Sequence, residues 1–115
     1  MNEHERRATT EALFRDVNER IAESTEQFDA DRTEFVCECS DPNCVHRVHA
    51  TLAEYEEVRD EPTTFLVAPG HEEGDIERVV EDRGRFRIVE KVHAAMRRTV
   101  VRLDPRRRPA RPSES

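Results

Sequence analysis

Residues 35–44 read Phe35-Val36-Cys37-Glu38-Cys39-Ser40-Asp41-Pro42-Asn43-Cys44 and hold all three cysteines of the chain. Cys37 and Cys39 stand two apart, so on an extended stretch their side chains leave the same face. Asp41-Pro42-Asn43 has the chemistry of a tight turn: Asp first, Pro with its φ already set second, Asn third. That turn carries Cys44 back toward the other two. Zinc takes about four N or S donors in a tetrahedron, and thiolates suit it. Three sulfurs gathered by eight residues therefore predict a zinc site. An odd set of clustered cysteines reads as metal-binding or redox-active before it reads as disulfides.

A fourth ligand must come from elsewhere, and three histidines compete for the place. His46 is too close to Cys44 for tetrahedral reach on an extended chain. His49 has a workable spacing from Cys44, and a neutral imidazole is a good ligand. His71 lies far away in sequence but directly follows Pro69-Gly70, in a sharply defined loop after an apolar run. A ligand there would tie the C-terminal half to the cysteine loop. The residues favour His71 and leave His49 open.

Upstream of the cluster, Leu13, Phe14, Val17, Ile21 and Phe28 recur at helical spacing. They predict a helix from about Thr10 to Phe28 with this stripe inward and Glu11, Arg15, Asp16, Glu19, Arg20 and Glu23 outward. The stripe is expected to pack on the domain's own sheet; the competing reading makes it a docking surface for a partner helix. Asp29 to Glu34 is a polar link.

Downstream, Val45 to Ala50 reads as a returning strand. Thr51-Leu52-Ala53-Glu54 fits a capping box that starts a helix running to about Asp60, with Leu52, Tyr55 and Val58 inward and Pro62 ending it. Thr63 to Ala68 is a short buried strand stopped by Pro69-Gly70. Ile76 to Glu81 and Arg85 to Val92 follow as strands joined by a hairpin turn at Asp82-Arg83-Gly84. The expected fold class is α+β: an N-terminal helix, a zinc-binding cysteine loop, a short helix and a small antiparallel sheet. Residues 1–9 are expected to be a disordered N-terminus, 10–93 a single zinc-stabilised domain, and 94–115 a basic, disordered tail.

Composition supports a domain that gains from a staple. Of 115 residues, 35% are hydrophobic and 39% charged, which leaves little for a self-sufficient core. There is no Trp and one Tyr, so no aromatic platform for stacking bases. Eighteen of the nineteen basic residues are Arg, a bias that carries little functional weight. The net charge of −7 divides unevenly: +5 from Arg97 onward and −12 before it. An acidic body repels nucleic acid and anionic lipid. No apolar signal region opens the chain and no apolar run approaches membrane-spanning length, so the expected location is the cytoplasm.

Two resemblances attach to these residues. The spacing C-x-C-x4-C is similar to the post-SET zinc loop of histone methyltransferases, which also supplies three cysteines and borrows its fourth ligand from a distant segment. That likeness covers residues 37–44 alone, and no methyltransferase activity carries over. More broadly, residues 13 to 92 resemble a group of small uncharacterised actinobacterial proteins sharing a CxCx4C…PGHE pattern. The matching stretches are Phe14 to Ile21, Phe35 to Cys39 with Cys44, Glu54 to Arg59, Phe65 to Glu72, Val79 to Glu81 and Ile88 to Lys91. This resemblance implies that Cys37, Cys39, Cys44 and His71 belong to one site, and it implies no activity.

The expected function is a non-enzymatic structural-zinc module acting through contacts with a protein partner, regulatory in character. A zinc–thiolate redox switch is the alternative, and a nucleic-acid-binding accessory role the one after it. A hydrolytic zinc enzyme would need an open coordination position and a general base, for which only Glu38 and Glu72 lie beside candidate ligands. The deaminase pattern, a Gly-rich phosphate loop and G-x-S-x-G are all missing from the sequence.

Overall fold

The computed structural model describes residues 2–25 and 32–106. Asn2 begins the first helix. Its side chain accepts from the Glu5 backbone N–H at 2.8 Å, and the Glu5 carboxylate accepts from the Asn2 N–H at 3.1 Å. This reciprocal box satisfies two orphan donors and starts α1 (Glu3–Thr25) well ahead of Thr10, so residues 3–9 are helical rather than disordered. The expected helix end at Phe28 lies outside the described residues.

The buried face of α1 corrects the sequence reading. Ala8, Glu11, Arg15, Asn18 and Ala22 form the inward stripe, whereas Leu13 is 62% and Val17 44% exposed. Phe14 and Ile21 are half-buried. Burial of Glu11 and Arg15, both expected outward, is possible because each meets an opposite charge. Glu11 accepts from Lys91 Nζ at 2.5 Å, and Arg15 donates to Glu38 at 3.2 Å. Charged residues are almost never wholly buried without such a partner.

Two antiparallel sheets lie under α1. In the first, β1 (Thr33–Val36) pairs with β2 (Arg47–Ala50), from Thr33↔Ala50 to Val36↔Arg47. Next, Thr51 and Glu54 cap α2 (Leu52–Val58) with the expected box. The second sheet contains β3 (Thr64–Val67), β4 (Glu77–Asp82) and β5 (Arg87–Lys91) in the order β3-β5-β4. The β4–β5 hairpin turns through Gly84, whose φ of +80° suits glycine. Beyond the end of β1 the chain runs along β3, where Glu38 N–H donates to Leu66 C=O at 2.7 Å and links the two sheets.

A third helix, α3 (Ala94–Arg102), stands where the sequence reading began a loose tail. Met96, Thr99 and Val100 are its buried face, and it packs beside α1. His4 stacks on His93 with ring centroids 4.0 Å apart, joining the start of α1 to the start of α3. Residues 107–115 of the expected tail lie outside the described residues. The core comprises Phe35 stacked on Tyr55 at 4.6 Å, Phe65, Leu66, Val67, Ile76, Phe86, Val89, Met96 and Val100. The architecture is the expected α+β, with Cys37 and Cys39 buried as part of this core.

Candidate metal centre

Two turns aim the site. In the first, Cys44 N–H donates to Asp41 C=O at 3.0 Å, and Asn43 N–H donates to the Asp41 carboxylate at 2.9 Å. The Asp-Pro-Asn sequence thus folds as its chemistry dictates, and brings Cys44 back beside Cys37 and Cys39. In the second, His71 N–H donates to Ala68 C=O at 3.0 Å across Pro69-Gly70, with Gly70 at φ +88°. Pro at the second position and a left-handed Gly at the third make a type II turn, which ends β3 and throws His71 onto the cysteine loop.

The result is a four-membered cluster. The ligand atoms of Cys37, Cys39, Cys44 and His71 lie within 4.8 Å of one another. His71 Nδ1 is 3.6 Å from both Cys37 Sγ and Cys44 Sγ. With metal–sulfur bonds of about 2.3 Å and metal–nitrogen bonds of about 2.0 to 2.1 Å, a tetrahedral edge between S and N is about 3.6 Å. The two measured separations equal that edge, so the residues fit a metal ion and can hold one.

Backbone donors reinforce the fit. Ala68 N–H donates to Cys37 Sγ at 3.2 Å, and Cys39 and Cys44 receive backbone bonds from Asp41 and His46. Such bonds favour charged sulfur over the neutral thiol. The thiols cannot all ionise unaided. Cys39 accepts a hydrogen bond from Cys37 and is held down at about 5. Cys37, the donor in that pair and itself desolvated, is pushed up, and desolvation also raises Cys44. A dication among the three sulfurs removes this conflict.

Other candidates stand apart. His49 is exposed on β2, where its Nε2 lies 3.4 Å from the Glu34 carboxylate. His46 does not join the four; it packs edge-on against the His71 ring, centroids 4.4 Å apart.

The carboxylates beside the ligands are engaged elsewhere. Glu38 is 0% exposed and accepts from Arg15 at 3.2 Å, Asn18 Nδ2 at 2.8 Å and Leu66 N–H at 3.0 Å. Asn18 also brackets Val36, accepting its N–H at 2.8 Å and donating to its C=O at 2.9 Å. Arg15 lies over Phe65, its Cζ 3.7 Å from the ring centre, and donates to the Pro62 and Thr64 carbonyls. Sequence reasoning missed this lock. Its one available signal was strand alternation: with Cys37 and Cys39 on one face, Glu38 must point to the other. Glu72 accepts from Gly70 N–H at 3.0 Å and pairs with Arg87, steadying the His71 turn. Ser40 donates to Glu73 at 2.8 Å, binding the cysteine loop to the loop that carries His71.

No family model, curated protein or solved structure matches the chain. Among the described residues no helix is long and apolar enough to cross a membrane.

Proposed function

We propose that the chain is a structural-zinc module that works through protein contacts and catalyses nothing. The observation that carries the metal reading is the pair of 3.6 Å separations from His71 Nδ1 to two sulfurs within a Cys3His cluster. Soft sulfur donors select zinc over the hard cations, and four protein ligands complete a tetrahedron, the mark of a structural rather than a catalytic site. Glu38 and Glu72, the nearest candidates for a general base, are held by Arg15 and Arg87. Leu13 and Val17, exposed on α1, supply apolar surface for a partner. Zinc of this kind contributes roughly 10 kcal/mol or more to folding, against the few that a core this small provides.

The test is metal content of freshly purified reduced protein, with a thiol count before and after chelation. One zinc per chain, and three thiols that react only after chelation and loss of structure, is the expected result. Metal-free folded protein with freely reactive thiols would refute it. A zinc–thiolate redox switch is the second reading, favoured by Cys44, the least buried of the three sulfurs. Stoichiometric peroxide releasing zinc would support that reading, and thiols inert while coordinated would end it.

A further inference from the structure

In a chain of net charge −7, most described arginines are held by carboxylates; Arg7, Arg15, Arg59, Arg83, Arg85 and Arg87 all make ion pairs. Arg98 and Arg102 are among those that do not. Among the described residues neither has an acidic partner within 4 Å, and both are exposed. They stand four apart on α3, so their guanidinium groups share one side of the helix. Arg97 and Val101, also four apart, form the neighbouring row. Arg97 is anchored to the Lys91 C=O at 2.8 Å and reaches Glu90 only at 3.5 Å. These four residues, with Thr63 at the entry to β3, line an open hollow of about 430 Å³. The same two arginines also line a second hollow, which they share with Asn2, Glu5, Ala95 and Thr99.

The lining specifies a ligand class. Guanidinium groups stay charged at every physiological pH and present fork-shaped donors that match phosphate oxygens. Two of them without acidic partners suit a group bearing about two negative charges, as a phosphomonoester does near neutral pH. Val101 offers an apolar wall beside that charge. The volume falls in the range of small-molecule sites, roughly 300 to 1,000 Å³. A long polyanion is a poorer match, because beyond this groove it would run over a body carrying −12. We propose that the α3 groove binds a small phosphomonoester, with the phosphate between Arg98 and Arg102 and its organic part against Val101. This site is separate from the cysteine cluster and does not depend on the zinc reading.

The probe is phenyl phosphate, titrated into isotopically labelled full-length protein at low ionic strength and followed by NMR. Saturable shifts confined to residues 97–102 and Thr63 are expected. The double substitution Arg98→Gln with Arg102→Gln should weaken binding by at least about tenfold while leaving the melting temperature unchanged. Linear, unsaturable shifts, or binding unaltered in the double variant, would overturn the proposal. A single-stranded oligonucleotide run in parallel provides the other arm. Should it bind more tightly than phenyl phosphate, lose affinity steeply with salt and fail with the same variant, the groove serves nucleic acid instead.

Discussion

Replacing Glu38 by Gln keeps the shape of a wholly buried side chain and removes its charge. The carboxylate accepts three hydrogen bonds, from Arg15, Asn18 and the Leu66 N–H. Arg15 is 1% exposed, and Glu38 is the anion it pairs with. Removing one member of a buried pair leaves the other charge uncompensated, at a loss of about 3 to 5 kcal/mol. Native domains hold about 5 to 15 kcal/mol in total, so Glu38→Gln should move the urea midpoint of the metal-loaded protein far down, or unfold it. Because Glu38 sits between two candidate ligands, Cys37 and Cys39, the same change should weaken metal retention against a chelator. The double variant Arg15→Met with Glu38→Gln removes both charges, and should be less destabilised than the two single losses added together. Stability of Glu38→Gln within about 1 kcal/mol of the parent would refute this account and return Glu38 to the list of candidate bases.

Three further outcomes follow from the geometry. His71→Ala should lose metal to a chelator that the parent resists, whereas His49→Ala should behave as the parent; competition with a colorimetric chelator distinguishes them. Gly70→Ala places a Cβ at φ +88° and should destabilise by about 1 to 2 kcal/mol, while Gly74→Ala, with equally open space but no positive φ, should be near neutral by thermal melt. Glu11 faces Lys91, Glu77 and Arg7, and burial pushes its carboxyl from 4.5 up to about 7. A raised carboxyl binds its proton more tightly when folded, so its effect is a stability loss that accrues as pH rises from about 4.5 to about 7, on the order of 3 kcal/mol at most. Glu11→Gln should flatten that part of the profile relative to the parent; an unchanged slope would sink the assignment.

The sequence announced its local chemistry plainly. Thr51 with Glu54, Asp41-Pro42-Asn43 and Pro69-Gly70 act on their immediate neighbours, and each folds as its residue types require. The hairpin at Asp82 to Gly84 belongs with them. What stayed hidden depends on partners distant in the chain. Glu11 and Lys91 are 80 positions apart, so nothing near Glu11 marks it as an inward residue. The hydrophobic count accordingly chose a face set to one side of the buried one: Phe14 and Ile21 are half-buried, but Leu13 and Val17 are exposed. The start of that helix was legible in Asn2 and Glu5, a box as good as the one at Thr51, but lay outside the apolar stripe. In α3, Met96 and Val100 are too few among Arg97, Arg98 and Arg102 to declare a helix. His71 could be read as a neighbour of the cysteines because its turn is local, even though the cysteines lie far off in the chain.

The distance along the chain between Cys44 and His71 has a topological consequence. With a metal bridging them, residues 44 to 71 form a closed ring that contains β2, α2 and β3. A protease cut in the exposed turn at Asp60 or Glu61 would therefore yield two pieces that stay joined while the metal is held. Chelation would let them part. Nicked protein that holds a metal should thus migrate as one species by size exclusion and as two after metal removal, so that a bound ion would serve as a reversible covalent-like closure of a chain whose cysteines form no disulfide.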